Sequence, residues 1–315
     1  MPSFVHILNP VNPKPGSDLE WIQKLTFASI HKALETADNN VNVSVMAACY
    51  PEDAAVVPQW MKCHADLSRS VLDFTGKSGR KLPLLHDILH SAYSHSQADY
   101  IIFSNLDICL MPSFYRLVNF YAEQGLDAFA INRRRIHDQW KSPDELELMY
   151  AEAGEAHPGY DMIVFRRKLL PDFALGNVCI GVPFFDTVLM HNLYVHAENF
   201  RLMTGKHLTF HVGMELVKQW GNADECNHNA AEYAAVRNKL FPLFSIEKFP
   251  GSDLPFFKRH FKWLFNPTFH YPTMLRLDLA QLGRKRPSRK MFSKTDVSEA
   301  YHKFIVGKIN FDDEF

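Results

Sequence analysis

The chain has 315 residues, 47% of them hydrophobic, and its 34 lysines and arginines nearly balance 35 aspartates and glutamates, for a formal net charge of −1. A chain of this size and apolar content buries a large core, so one α/β domain with an appended region is the first expectation and disorder over most of the length is excluded. The charge balance argues against a protein that coats nucleic acid and leaves any basic contacts local.

Residues 4–8 form a short apolar run that stops at Asn9-Pro10 and read as a first strand. The amino terminus has no basic start, long apolar stretch or small-residue cleavage site, so it reads as strand and loop, not as a secretory signal. A helix is expected from Ser17 or Asp18, with Phe27, Ile30 and Leu34 on one face. Residues 41–48 are β-branched and end at the Pro51-Glu52-Asp53 cluster, which predicts a second strand. Pro83, followed by Leu85, Ile88, Leu89 and Ala92, predicts a helix with proline in its first turn. Strands are expected at 99–103, 128–132 and 162–165, with a helical segment over 143–153. Asp186 heads another helix, whose Leu189, Leu193, Ala197 and Phe200 share a face.

Strands alternating with helices predict a largely parallel sheet covered by helices. Ligands in such sheets collect beyond the carboxyl ends of the strands, where Asn9, Asn105 to Asp107 and the run Arg133-Arg134-Arg135 emerge. A charge run is normally a solvated face, but at a strand end Arg133 and its neighbours are candidates to hold diphosphate or an acidic acceptor. After residue 235 phenylalanine, proline, lysine and arginine become frequent, which divides the chain into a main domain, 1–235, and a helical extension, 236–315.

The sharpest feature is Tyr100-Ile-Ile-Phe-Ser-Asn-Leu-Asp-Ile108, a hydrophobic strand that stops at Ser-Asn-Leu-Asp. Side-chain direction repeats every second residue, so Asn105 and Asp107 can point the same way and offer hard oxygen ligands to Mg²⁺ or Mn²⁺. Taken alone, a strand ending in Asn-x-Asp is more often a plain turn.

The run 99–108, with Pro112 and Phe114-Tyr115 after it, resembles the GT-A glycosyltransferases, and more closely bacterial-type, nucleotide-sugar-dependent members. Their metal motif is usually Asp-x-Asp, and position 105 is asparagine here. The resemblance continues through 157–165, which is similar to the acceptor-side loop and following strand, and through 180–186, which is similar to the turn before a helix opening with an acidic residue. It implies a GT-A-like, Rossmann-type mixed sheet, largely parallel and flanked by helices, with a helical carboxyl-terminal extension. It also implies transfer of a sugar from a nucleotide diphosphate sugar to a hydroxyl of a saccharide or lipid-linked saccharide, as in polysaccharide biosynthesis.

The site implied by the resemblance has Asn105, Asp107 and His211 around Mn²⁺ or Mg²⁺, with Asp186 as general base and Asp161 holding an acceptor hydroxyl. Asp186 is equally read as a first-turn acid favouring the helix dipole, Asp161 as a turn cap, and His211 as one ordinary histidine among 16. Base and ribose are expected near Asn9, Pro10, Glu52 and Asp53. Arg80 and Lys81 are candidates to reach phosphate and Asp87 to contact ribose or sugar, and each is equally read as a solvated charge. Two other readings stay open. One is a catalytically silent nucleotide- or sugar-binding protein, which Asn105 makes tolerable. The other is a nucleotidyltransferase, against which the lack of a glycine-rich, lysine-bearing loop after the first strand counts.

The five cysteines are scattered and without a CxxC spacing, which fits a reducing, cytoplasmic setting better than a disulfide framework or zinc knuckle. No run of about twenty apolar residues predicts a spanning helix. A helix over 254–265 has an aromatic side and a basic side; packing of the aromatic side on the main domain is the first expectation. The alternative is peripheral contact with the inner face of a membrane, reinforced by the basic stretch after Gly283. The sequence sets no oligomeric state.

Overall fold

In the computed structural model, residues 1–37, 41–76, 79–214, 223–266 and 269–280 are described. Strand β1 (Ser3–Leu8) alternates between two buried faces: Val5 and Ile7 enter one apolar cluster, Phe4 and Leu8 another. Strand β4 (Tyr100–Ser104) repeats the pattern with Ile101 and Phe103 against Tyr100 and Ile102. A strand apolar on both sides belongs in the middle of a sheet covered twice. Helices α1 (Asp18–Ala37) and α3 (Phe114–Glu123) cover one face through Phe27, Ile30, Phe114 and Val118. Helices α2 (Leu85–His95) and α5 (Phe185–His196) cover the other through Ile88, Leu89, Val188 and Leu189.

The sheet also contains β2 (Asn42–Ala48), β3 (Lys62–His64), β5 (Cys109–Leu110), β6 (Ala128–Ile136), β7 (Glu155–Arg166), β8 (Phe200–Met203) and β9 (Thr209–Val212). Its order is β3-β2-β1-β4-β7-β6-β9-β5, with β8 beside β6. Strands β3, β2, β1 and β4 run parallel, and β7 is antiparallel to both β4 and β6. One edge of β6 is shared: its first half pairs with β8 and its last residues with β9, both parallel. The sheet is mixed, largely parallel and flanked by helices, as the sequence resemblance implies.

Four elements differ from the sequence expectation. Strand β7 begins at Glu155 and not at Met162, so the expected loop before it is strand. Strand β6 runs past residue 132 to Ile136, so the three arginines lie inside a strand and not beyond its end. Pro83 stands outside α2, bridged to Ser70, and Leu84 is the residue that caps the helix. Helix α5 ends at His196, so Ala197 is its cap and Phe200 belongs to β8.

The carboxyl-terminal part comprises α6 (Ala223–Leu240), α7 (Phe256–Leu264) and α8 (Tyr271–Ala280), with α4 (Leu146–Ala151) earlier in the chain. Helix α6 runs across residue 235, and Tyr233, Val236, Phe244, Phe249, Trp263 and Phe269 share one apolar cluster with Val5 and Ile101. Helix α7 reverses the first expectation for it: Arg259, His260 and Trp263 face inward, while Phe257, Phe261 and Phe265 are exposed. The cause is a buried carboxylate, Asp278, which takes Arg259 Nε and His260 Nε2 at 2.8 Å each. Among the described residues no helix is long and apolar enough to cross a membrane.

Candidate functional site

The carboxyl ends of β1 and β4 lie side by side, since the two strands pair in parallel from Phe4↔Tyr100 to Ile7↔Phe103. Beyond β4 the chain turns at once, with the Ile108 amide donating to the Asn105 carbonyl at 3.3 Å. Helix α1 pins the turn: Thr26 Oγ1 donates to the Leu106 carbonyl at 2.7 Å, and Ser29 Oγ accepts from the Leu110 amide at 3.0 Å. Behind it, His6 spans from Ser104 Oγ to Tyr115 Oη, 2.8 Å on each side. Burial lowers the pKa of His6 to about 3, so this support is a neutral imidazole at any ordinary pH.

Asp107, held by that turn, and His211 on β9 come together: Oδ2 and Nε2 are 3.4 Å apart, both side chains are largely enclosed, and 104 positions separate them in the sequence. The register that delivers His211 is Arg135↔His211 in the β6–β9 ladder. A separation of 3.4 Å is long for a charge-assisted hydrogen bond, whose usual length is about 2.7–2.9 Å. Two ligands each about 2.1 Å from one ion, at a right angle, stand about 3 Å apart, so the pair suits neighbouring positions in one coordination shell. His211 Nδ1 is buried with no hydrogen-bond partner among the described residues, which leaves the ring's orientation to whatever Nε2 binds. Among the described residues no third histidine, cysteine, aspartate or glutamate joins the two. A carboxylate, an imidazole and the nearby amide of Asn105 fit Mn²⁺ or Mg²⁺ with positions left over, and the imidazole tilts the set toward Mn²⁺.

Strand β7 brings the next group. The β4–β7 ladder closes at Ser104↔Met162, so Asn105 and Asp161 leave it from adjacent positions. Asp161 pairs with Arg133 of β6, Oδ1 to Nη1 2.6 Å, and the His157 ring lies by both, its Nδ1 4.0 Å from Asp161 and its Nε2 3.4 Å from Arg133. Asp186, in the first turn of α5, accepts from the Thr187 amide at 2.8 Å. Burial, with a smaller push from the charge of Asp161, raises the Asp186 pKa to about 6. Ahead of it Phe184 adopts the left-handed conformation at φ 78°, an uncommon backbone for a side chain of that size, stacked on Tyr233 with ring centroids 5.2 Å apart.

The remaining residues expected at the donor site have structural partners. Asn9 is buried and donates to the Ala48 carbonyl at 2.8 Å, tying β1 to β2; Pro10 beside it is buried too. Asp53 is buried and accepts from the Asn12 amide at 2.7 Å. Glu52 pairs with Lys81, whose ammonium also lies 3.8 Å from the Tyr50 ring centre, and that ammonium holds the Glu52 carboxyl below its ordinary range. Arg80 clasps the buried Glu225, its Nε 3.0 Å from Oε2 and its backbone amide 2.7 Å from Oε1. Asp87 takes Arg69 Nε at 3.1 Å and lies 3.0 Å from His86 Nδ1. The sequence reading gave no role to His157, Thr26 or His6; the one available signal was a histidine standing inside the apolar run of β1.

Fold and site together define a mixed α/β protein with carboxylates and an imidazole gathered at the carboxyl ends of its central strands. No protein-family model and no curated protein matches the chain. Among solved structures, Staphylococcus aureus TarS 1–349 in complex with UDP-GlcNAc is 13% identical over 88% of this chain and 83% of that one, with a TM-score of 0.42. The Pyrobaculum calidifontis mannosyltransferase PcManGT in complex with GDP-Man and Mn²⁺ is 15% identical, over 98% of this chain and 79% of that one, at a TM-score of 0.44. Glucosyl-3-phosphoglycerate synthase from Mycobacterium tuberculosis, in complex with Mn²⁺, UDP-Glc and phosphoglyceric acid, is 11% identical over 76% and 79%, at 0.41. Likenesses of this degree leave the functional reading to the chain's own residues.

Proposed function

We propose that this chain is a glycosyltransferase that moves a sugar from a nucleotide diphosphate sugar to a hydroxyl acceptor, with Asp107, His211 and Asn105 holding a divalent ion. The observation that carries the reading is the meeting of Asp107 and His211, 3.4 Å apart, at the strand ends where this class of sheet places its ligands. Mn²⁺ accompanies a nucleotide sugar in the PcManGT and glucosyl-3-phosphoglycerate synthase structures. Asp107 and His211 would hold such an ion, whose positive charge would stabilise a departing diphosphate.

The protein's own groups do the rest. Asp186, with a pKa near 6, is ionised at neutral pH yet basic enough to accept the proton of an acceptor hydroxyl as that oxygen attacks the anomeric carbon. A single displacement of this kind inverts the anomeric centre. Asp161, oriented by Arg133, holds the acceptor. Arg133 is thereby assigned to positioning, with its Nη1 paired to Asp161. Arg80, Lys81 and Asp87 are each held in a pair of their own, with Glu225, Glu52 and Arg69.

The test is a screen of uridine, guanosine, cytidine and thymidine diphosphate sugars for release of nucleoside diphosphate, with and without Mn²⁺. Release is expected to need the ion, and Asp107→Ala is expected to lower it by about 10²-fold or more with the melting curve retained. An undiminished rate in that variant removes the metal-site assignment. Binding of a nucleotide diphosphate without any turnover favours a silent binding protein instead.

A further inference from the structure

Helix α7 is amphipathic in the reverse sense for a helix packed on a protein core. Its charged Arg259 points inward to the fully buried Asp278, Nη2 to Oδ2 2.7 Å, while Phe257, Phe261, Leu264 and Phe265 are 84%, 68%, 54% and 65% exposed. At 100° per residue these four side chains fall on one arc of the helix surface, and the exposed Lys258 and Lys262 border that arc on one side. Phe261 and Phe265 stand 4.7 Å apart between ring centres, so the patch is continuous and not a scatter of single residues. Inside helix α7 there is no carboxylate. A contiguous exposed aromatic patch of this kind marks an interaction surface.

Along the sequence, α7 and the stretch after it are rich in cations. From residue 256 to 290 the sequence has nine lysines and arginines against one carboxylate, Asp278, in a chain whose formal net charge is −1. Protein–protein interfaces are depleted in lysine, and their binding energy is carried mostly by tryptophan, tyrosine and arginine, which join apolar contact to hydrogen bonding. Here the exposed rings are phenylalanines, which need only leave water, and the polar groups beside them are flexible ammonium heads. That is the composition of a helix lying in a lipid interface, with rings among the acyl chains and lysines reaching the anionic headgroups.

We infer that the outer face of α7 docks on an anionic lipid surface, with Phe257, Phe261, Leu264 and Phe265 inserted and Lys258 and Lys262 paired to headgroups. The inference goes beyond the proposed reaction and stands without it. The Arg259–Asp278 pair fixes α7 with this face outward, so insertion requires no rearrangement of the core.

The experiment is flotation of the full chain with vesicles of phosphatidylcholine alone and of phosphatidylcholine with 30% phosphatidylglycerol, added as a defined probe. The chain is expected to float with the anionic vesicles and remain below the neutral ones. Phe257→Ser with Phe261→Ser is expected to reduce the bound fraction about tenfold or more. Lys258→Glu with Lys262→Glu is expected to reduce it as well, most strongly at low salt. These side chains face water, so both double variants are expected to keep the parent melting temperature. Equal flotation of the parent and the phenylalanine variant assigns binding to the basic stretch at 284–290 alone and overturns the inference. A parent that ignores anionic vesicles but forms a dimer, lost in the same variant, overturns it in favour of a second copy as the occupant.

Discussion

Asp186 carries opposite demands for stability and for chemistry. Its folded pKa of about 6 lies above the ordinary 3.8, so between those values the folded state binds more protons than the unfolded one. Stability contributed by this site is therefore full below about pH 4 and is lost as pH rises through about 6. Catalysis runs the other way, because a base must be unprotonated, and the rate of the proposed transfer is expected to climb through the same interval and level above it. Asp186→Asn keeps an oxygen for the Thr187 amide but removes the half-buried charge. The variant is expected to be more stable than the parent at pH 7 by about 1–3 kcal/mol, with the gain vanishing near pH 4. It is also expected to lose about 10²–10⁴-fold in rate. Urea melts at the two pH values and a pH–rate profile check both halves; a rate equal to the parent's returns Asp186 to the role of a first-turn acid.

At the scale of elements, what could be read in the sequence is what alternates or repeats. Strands β1, β2 and β4 and helices α1 and α2 are expressed in apolar spacing, because each buries a whole face. Strand β6 was readable only as far as Asn132. Three consecutive arginines look like a solvated end, yet Arg133 is matched by Asp161, Arg135 by Glu155 at 2.8 Å, and Arg134 by the Ala153 and Gly154 carbonyls. The partners come from a later strand and its approach, and no local pattern announces them. The same limit applies to α7: its periodicity shows a stripe, but the side that faces inward is decided by Asp278, 19 positions after Arg259. In the site, Asn105 and Asp107 were legible as a strand end and His211 by resemblance, whereas Thr26, which holds their turn, was legible in neither way.

The extension of β6 rests on how closely the chain returns to it. Gly154 precedes β7 with φ +57°, and a Cβ placed there would lie 2.5 Å from the Arg135 carbonyl and 3.0 Å from the Ile136 side chain. The near atom is backbone and cannot swing away. Gly154→Ala is therefore expected to cost about 2–4 kcal/mol in a urea melt, from left-handed strain together with displacement of the β6–β7 pairing. A loss below about 0.5 kcal/mol would mean that this corner yields freely and does not set the register that faces Arg135 to His211.

Over the whole molecule, the decisive question is whether the region after residue 235 is an appendage or part of the support of the sheet. The packing favours support, for a specific reason. His191 of α5 is fully buried and meets the rings of Tyr233, Phe244 and Phe249 edge-on at centroid distances of 5.7, 5.2 and 6.2 Å. Tyr194, one turn along, lies 4.4 Å from Phe249 and 6.0 Å from Phe269. The helix that holds Asp186 in its first turn thus has its far side built from the carboxyl-terminal residues. A chain ending at Leu240 would lose Phe244, Ile246, Phe249, Trp263, Phe269, Met274 and Leu277 from the shared core. Even at about 1.5 kcal/mol for each, the loss is on the order of 10 kcal/mol, comparable with the whole stability of a domain. The full chain is accordingly expected to melt in one cooperative transition followed by circular dichroism, and the 1–240 fragment to show none and to bind a hydrophobic dye. A fragment that melts cooperatively and still binds a nucleotide diphosphate would make the region an accessory, because Asp186 would then be held in place without the aromatic residues that now pack behind its helix.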